Sequence, residues 1–362
     1  FTAVSNTTYG ITDVFVSKYS PDGSTMLWTT FLGGGTLNRG TETAHSLICD
    51  QSNNIYIYGA TSSRDFPIVN GYQPVHGGGV SGANFTNNGV YFNNMGPSNP
   101  TTLHGTDIFV SKISANGHNL LGSTFIGGSL NDGVNMRTTS LAYDSLITNY
   151  GDNFRGEIML DSLGNCLIAS CSRSMDFPVL NAFQPTKAGE QDGVIFKLSS
   201  DLSSLMWSSY FGGTDNDACY SVKIDSSYNI VFAGGTTSGN IPGTTGGLNP
   251  NYLGGKADGF VGKLTPTGQT LLQSTYIGDT LYDQAFFIEI NRNDEIFVLG
   301  QSAGGNFPVI NSQSYPNSSQ FIAKLNPTLT TILNSTVFGN GQPDINISPA
   351  AFLVDICGNM YV

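Results

Sequence analysis

Charge is scarce in this chain. Only 11% of its 362 residues are Asp, Glu, Lys or Arg, against roughly 25% in an average soluble domain. The 14 Lys and Arg face 26 Asp and Glu, so the formal net charge is −12. Binding a polyanion needs clustered cations, and none cluster here: even Arg137 and Arg155 sit among Asp144, Asp152 and Glu157. That argues against a nucleic-acid partner. No run of about 18 apolar residues occurs, so no transmembrane segment is expected. Cysteine is sparse as well. Cys49, Cys166, Cys171, Cys219 and Cys357 form no C-x-x-C pair and no metal spacing; they read as small apolar side chains, and the odd count leaves a partner outside this stretch open. No metal or cofactor is expected. Catalytic signatures are missing too: no G-x-S-x-G, no H-E-x-x-H, no S-x-D-x-G-x-x-W. His45, His76, His104 and His118 never recur with a Ser or Asp at matching places.

What the chain has instead is a repeat. A lysine closing a short apolar run recurs at Lys18, Lys112, Lys197, Lys263 and Lys324, in steps of 94, 85, 66 and 61 residues. The short steps give the unit and the long ones add insertions. Each unit holds four short runs rich in Val, Ile, Phe, Tyr and Thr, separated by turn residues such as PDG, DSLGN and NRND, which predicts strands joined by tight turns. No long stretch has helical periodicity. Four strands per unit, repeated radially, is the blade of a β-propeller, and a fixed long period marks such arrays. The fold predicted is all-β, a propeller of four-stranded antiparallel blades forming a single domain over 1–362. A half-blade covers 1–35, four blades run over about 43–128, 138–213, 217–278 and 283–339, and a second half-blade covers 346–362. The 45 glycines, several paired at the end of an outer strand, are expected to supply the positive φ that turns require.

The motifs D-x-F-V-x-K-[IYL], S-T-[FY]-[IL]-G-G, D-x-x-[GNY]-N-x-x-x-x-G and F-P together resemble the SBBP β-propeller repeat family, found in large secreted proteins of bacteria. The last segment, FLVDICGNMYV, is similar to a piece of Bacteroidetes surface proteins that carry gliding-motility-type or type IX secretion sorting domains. The resemblance spans five units. It implies a seven-bladed ring of which this chain holds part, with termini elsewhere; the alternative is that the two half-blades pair and close a five-bladed ring. It implies no catalytic residue. The units also depart from it: Ile241 replaces the Phe before Pro, Asn291 replaces the recurring Asp, and the last two units have Gly-Asp and Gly-Asn for Gly-Gly.

Recurring polar positions read as structural. Asp50, Asp161, Asp225 and Asp355 precede Asn54, Asn165, Asn229 and Asn359 by four residues, as turn-capping side chains do; a calcium loop would need more oxygen ligands. The recurring lysines are expected to lie along a blade and reach water. Phe66, Phe177 and Phe307 are expected to fill seams between blades.

Function is expected on loops. With strands A to D alternating in direction, the B–C and D–A loops share one face. The two insertions, 76–104 (B–C) and 133–155 (D–A), therefore belong to that face. They offer Phe85, Tyr91 and Phe92, and Tyr143, Tyr150, Phe154 and Arg155, as candidate binding residues; alternatively the loops fold over their own blades. Asp132, Asp217, Asp283 and Asp344 follow the strand-D glycine and are placed at the channel mouth, either as loop caps or as a cation site. The function expected is a non-enzymatic extracellular or cell-surface module for adhesion, protein–protein or glycan binding, with surface proteins, secretion-system proteins or glycans as partners. The alternative is a carbohydrate-active enzyme using carboxylates gathered from different blades.

Overall fold

The computed structural model of the chain describes residues 12–34, 40–78, 105–135, 146–149, 151–345 and 347–362. It contains β-strands with only two single 3-10 turns, Asp152–Phe154 and Ala303–Gly305. Two strands, β1 (Val14–Tyr19) and β2 (Met26–Leu32), form the first sheet. Four complete antiparallel sheets follow. These are β3 (Glu42–Cys49) to β6 (Leu120–Ile126), with β4 (Ile55–Thr61) and β5 (Asp107–Ile113) between; then β7 (Glu157–Leu160), β8 (Cys166–Ser172), β9 (Asp192–Leu198) and β10 (Leu205–Phe211). Next come β11 (Asp217–Ile224), β12 (Ile230–Thr236), β13 (Asp258–Leu264) and β14 (Leu271–Ile277), then β15 (Asp283–Ile290), β16 (Ile296–Ser302), β17 (Gln320–Leu325) and β18 (Ile332–Phe338). Last are β19 (Leu353–Val354) and β20 (Met360–Tyr361). Strand order in each full sheet is the chain order, as in a propeller blade.

Burial explains the sequence pattern. Strands β4, β8, β12 and β16 are buried at every position, because sheets pack on both of their faces. Such strands read as continuous apolar or small runs rather than alternating ones. Each seam has its own core. Val16 and Trp28 of the first sheet meet Ile57 and Phe109 of the second; Tyr58 and Val110 meet Ile168 and Phe196. Phe211 meets Phe232 and Phe260 in the next seam, and Val261 meets Val298 and Phe321 in the one after. Phe66, Phe177 and Phe307 are all buried in these seams. Cys166, Cys171 and Cys219 are buried and Cys49 and Cys357 exposed, all as free thiols.

Three expectations are corrected. The five-bladed alternative requires β20 to pair with β1, yet they lie in separate two-stranded sheets. The paired glycines ending strand D are not there for positive φ: Gly127, Gly128, Gly212 and Gly213 have ordinary φ. They are glycine because of crowding. A Cβ on Gly127 would lie 2.7 Å from Asp107 Oδ1 and 2.9 Å from Asp132 Oδ2, and one on Gly213 would overlap Asn240. Positive φ is instead used at turn glycines such as Gly117 and Gly268.

The recurring lysines, third, end on a carboxylate in the four full sheets, while Lys18 of the first sheet is exposed as expected. Lys197 Nζ and Lys263 Nζ lie 2.7 Å from Asp161 Oδ2 and Asp225 Oδ2, and Lys112 Nζ lies 3.5 Å from Asp50 Oδ2. Each such Asp also caps its turn as expected: Asp225 Oδ1 accepts from Asn229 N at 2.8 Å, and Oδ2 from Asn229 Nδ2 at 3.0 Å. Partial burial opposes ionisation of Asp225, but Lys263 and Asn229 outweigh it and hold the carboxyl below its ordinary range. The fourth full sheet exchanges acid and amide. Asn291 stands in the Asp position and Glu295 in the Asn position; Asn291 Nδ2 donates to Glu295 Oε2 at 2.7 Å, and Lys324 Nζ lies 3.3 Å from that oxygen. Restoring the common order with Asn291→Asp and Glu295→Asn together should leave stability within ~0.5 kcal/mol of the parent, while Glu295→Asn alone should cost about 1 kcal/mol. Urea midpoints of the two singles and the double measure this, and a double variant weaker than both singles would refute the exchange.

Among the described residues no helix is long and apolar enough to cross a membrane.

Candidate functional site

Three of the innermost strands carry the same irregularity. Pairing with the next strand slips between Ala44 and Ser46 in β3, between Cys219 and Ser221 in β11, and between Ala285 and Phe287 in β15. The extra residues are His45, Tyr220 and Phe286. A β-bulge re-aims a side chain and often sits beside a site; here all three line one cavity of about 560 Å³. The second full sheet contributes Gly156 at the matching position, and Ser348, Pro349 and Ala350, leading into β19, close the circle. The cavity therefore occupies the middle, where the innermost strands of successive sheets converge.

The second insertion enters this space. The reading placed it wholly between strands D and A, but it interrupts strand A. Asp132 bridges to Ser172 as Asp217 pairs with Thr236 and Asp283 with Ser302, and the strand resumes only at Glu157. Leu146 is buried against Cys171, Tyr220 and Phe286. Asp152, fully buried, accepts from Thr148 N at 2.9 Å and Asn149 N at 2.7 Å. Arg155 Nε lies 2.7 Å from Asp152 Oδ1, its guanidinium carbon sits 3.8 Å from the Phe286 ring centroid, and its Nη1 donates to Pro349 O at 3.2 Å. The Arg155 charge is thus matched by Asp152 and screened by an aromatic face. Asn135 ties the segment down, donating through Nδ2 to Asp152 O at 2.9 Å and Tyr220 Oη at 3.2 Å.

The walls carry the aromatic rings of Phe154, Tyr220, Phe286 and Phe287, with Thr43, Asn153, Arg155 and Ser348 as polar groups. His45 packs edge-on against Tyr58 and Phe154, ring centroids 5.2 and 5.6 Å away. Neither ring nitrogen has a hydrogen-bond partner, and burial pushes its pKa down to about 3. The imidazole is neutral at physiological pH and serves as a flat ring, not a proton shuttle. No carboxylate lines the cavity among the described residues. Such walls suit stacking against a sugar ring or an aromatic or aliphatic side chain.

Of the residues expected to bind, Phe154 and Arg155 line this cavity. Phe85, Tyr91, Phe92, Tyr143 and Tyr150 lie outside the described residues. Antiparallel pairing sets the carboxyl ends of β4 and β6 on one face. The channel-mouth placement of the acids is corrected. Asp132, Asp217 and Asp283 are fully buried in seams between sheets because backbone amides recruit them: Gly128 N, Gly213 N and Asp279 N donate to them at 2.8, 2.8 and 2.7 Å. Asp344 is exposed. His45, Tyr220 and Phe286 were missed. Their signal is a position three residues after Glu42, Asp217 and Asp283 that varies between units while its neighbours stay small or apolar.

Scans against protein-family models and curated proteins find no match to this sequence. Among solved structures, the NanB sialidase of Streptococcus pneumoniae is similar in a K499G mutant at 9% identity and TM-score 0.44, covering 92% of this chain and 56% of that one. The same sialidase with a chlorobenzyl-ammonio-ethanesulfonate is similar at 8% and 0.42, with the same coverage. A europium-containing methanol dehydrogenase follows at 7% and 0.35, covering 92% of this chain and 61% of that one. The chain spans less than two thirds of each neighbour's length, and at these values none bears on its activity.

Proposed function

We propose that the protein is a non-enzymatic, extracellular binding module, an SBBP-like propeller within a larger surface protein of Bacteroidetes type, that holds a glycan or protein partner at the face bearing the two insertions. The observation carrying this reading is the central cavity. Three bulges aim ring side chains into it, and an inserted segment pinned by Arg155 and Asp152 narrows it. Three of the four candidate acids, Asp132, Asp217 and Asp283, are drawn into the seams, while stacking surfaces remain. Partners seated on aromatic anchors lose much of their affinity when one anchor is truncated.

The test immobilises the protein over a glycan panel and over extracellular protein fractions, recording retention and cleavage separately. Retention without cleavage is expected. Phe287→Ala, which trims a part-exposed wall residue, should weaken retention at least ~10-fold at a temperature where the variant is still folded. Turnover of a retained glycan would overturn the non-enzymatic reading, and unaltered retention in Phe287→Ala would move the site elsewhere.

A further inference from the structure

The seams between sheets hold a second recurrent feature. Asp107 opens β5 and faces Asp132 of the next sheet, Asp192 opens β9 and faces Asp217, and Asp258 opens β13 and faces Asp283. All six are fully buried. The first two pairs converge on strand-D glycines: a Cβ on Gly212 would lie 2.6 Å from Asp217 Oδ2 and 3.1 Å from Asp192 Oδ1, just as Gly127 lies between Asp107 and Asp132, and in the third Asp283 lies against Gly278. We propose that each pair holds one proton between its two carboxyls at neutral pH, making the seams latches that loosen as pH rises.

Hydrogen-bond accounting carries the argument. In the middle pair, both Asp192 oxygens accept: Oδ1 from Gly189 N at 2.8 Å, Oδ2 from Ala188 N at 2.8 Å and Gln184 Nε2 at 3.1 Å. Across the seam Asp217 Oδ2 accepts from Gly213 N and Ser238 Oγ, at 2.8 and 2.9 Å, while Oδ1 is buried with no hydrogen bond of normal geometry, the Thr236 hydroxyl acting on the same carboxyl. In the first pair both Asp132 oxygens accept, from Ser172 Oγ, Gly128 N and Ser174 Oγ. Asp107 Oδ1 is the atom left over. His76 Nδ1 lies 3.7 Å from it and is placed to accept from Gly78 N at 3.2 Å. In the third pair Oδ1 of both Asp258 and Asp283 is buried with no hydrogen bond of normal geometry, although Gly254 N acts on the first carboxyl and the Ser302 hydroxyl on the second. A buried acceptor without a donor is costly, and two buried like charges disfavour double ionisation. One added proton turns the leftover oxygen into a donor and removes one charge.

The fifth seam supplies an internal comparison. There Gln320 replaces the strand-C acid; its amide nitrogen donates to Ile347 O at 3.3 Å while its Oε1 is buried without a partner, and Asp344 is exposed. That seam carries no pair of facing carboxyls. Burial is the largest cause raising Asp217 and Asp283 to about 8 and Asp132 and Asp258 to about 7, and it also raises Asp107 and Asp192. The other charged or titratable groups facing the pairs are His76, Arg64, Asp176, Cys171, Lys187 and Tyr210 at the first, Lys187, Cys219, Tyr210 and Tyr276 at the second, and Asp279, Tyr252 and Tyr276 at the third. A carboxyl raised from 3.8 to about 8 gives stability that is complete below the unfolded value and is lost as pH climbs through the folded one.

The experiment measures melting temperature of the intact chain from pH 5 to 9 in chelator, alongside the infrared carbonyl band of protonated carboxyls at pH 7. We expect melting to fall by roughly 5 °C or more across that range, and the band to be present at neutral pH. Asp217→Asn, an isosteric mimic of the protonated acid, should flatten the pH slope and reduce the band. Should that variant fail to fold, the band in the parent protein still decides. Its absence at pH 7, or melting that rises with pH, would overturn the proposal. So would a chelator-reversible gain from added calcium at pH 8, which would place a cation between the carboxyls.

Discussion

Gly234→Ala is expected to destabilise the protein by about 3 kcal/mol or more, at the upper end of overpacking costs. A Cβ there would overlap the Ala218 carbonyl oxygen and sit 2.7 Å from Phe260 Cζ. Both neighbours are fixed: Ala218 precedes the bulge in β11, and Phe260 lies directly opposite Gly234 in β13. The arrangement recurs where Gly59 faces Phe109 and where Gly300 faces Phe321, each beneath the carbonyl of a bulged strand. The exception obeys the same geometry. Ser170 faces the smaller Val194, and β7 beside it has no bulge. Gly239, with nothing within 4 Å of its Cβ position and no positive φ, should tolerate alanine within ~0.5 kcal/mol. Denaturant midpoints compare the two. Adding Phe260→Val to Gly234→Ala should recover only part of the loss, because the carbonyl stays. A Gly234→Ala protein as stable as the Gly239→Ala control would show that the bulges are not locked by these glycines.

These contrasts mark how far the sequence could be read. Strand count and order followed from the repeat, since local alternation and turn chemistry act within a few residues and recur in every unit. The Asp-x-x-x-Asn turn was legible for the same reason. Its lysine partner was not: Lys263 and Asp225 lie 38 positions apart and meet only once β12 and β13 pair. The exchange at Asn291 and Glu295 was the visible trace of that contact, and it read as a plain departure. Glycine was read through φ alone, while Gly127 and Gly212 are set by carboxyls arriving from elsewhere in the chain. The acids were placed at an open mouth because their spacing from strand D is short; the backbone amides that draw them inward appear only in three dimensions. The cavity was hidden most completely, because a bulge adds one residue to one strand and leaves no composition signal.

At the other end of the innermost strands lies a contact with no counterpart in the repeat, and removing it should cost about 3 kcal/mol. Lys223 of β11 sits between acids of the sheets on either side, its Nζ 2.6 Å from Glu157 Oε1 of β7 and 3.3 Å from Glu289 Oε1 of β15. The group is largely shielded, each side chain keeping about a fifth of its exposure. Glu157 Oε2 also accepts from Ser221 Oγ at 2.6 Å and Val222 N at 2.8 Å, and Ser221 Oγ accepts from Ile288 N at 3.0 Å. Three sheets are thus fixed in register by one cation. Lys223→Met would leave two shielded carboxylates facing each other, and stranding buried charge is far costlier than never placing it. Burial already raises Glu289 and Glu157 raises it further, with Lys223 as the opposing influence. Without the lysine Glu289 should favour protonation, so the deficit should be largest near pH 8 and shrink toward pH 5. Lys223→Met combined with Glu157→Gln and Glu289→Gln should regain most of the loss, since the amides carry no charge to strand. Chemical unfolding of the single and triple variants at both pH values tests this. A single-variant deficit that does not depend on pH would assign the role of Lys223 to packing of its aliphatic stem instead of its charge.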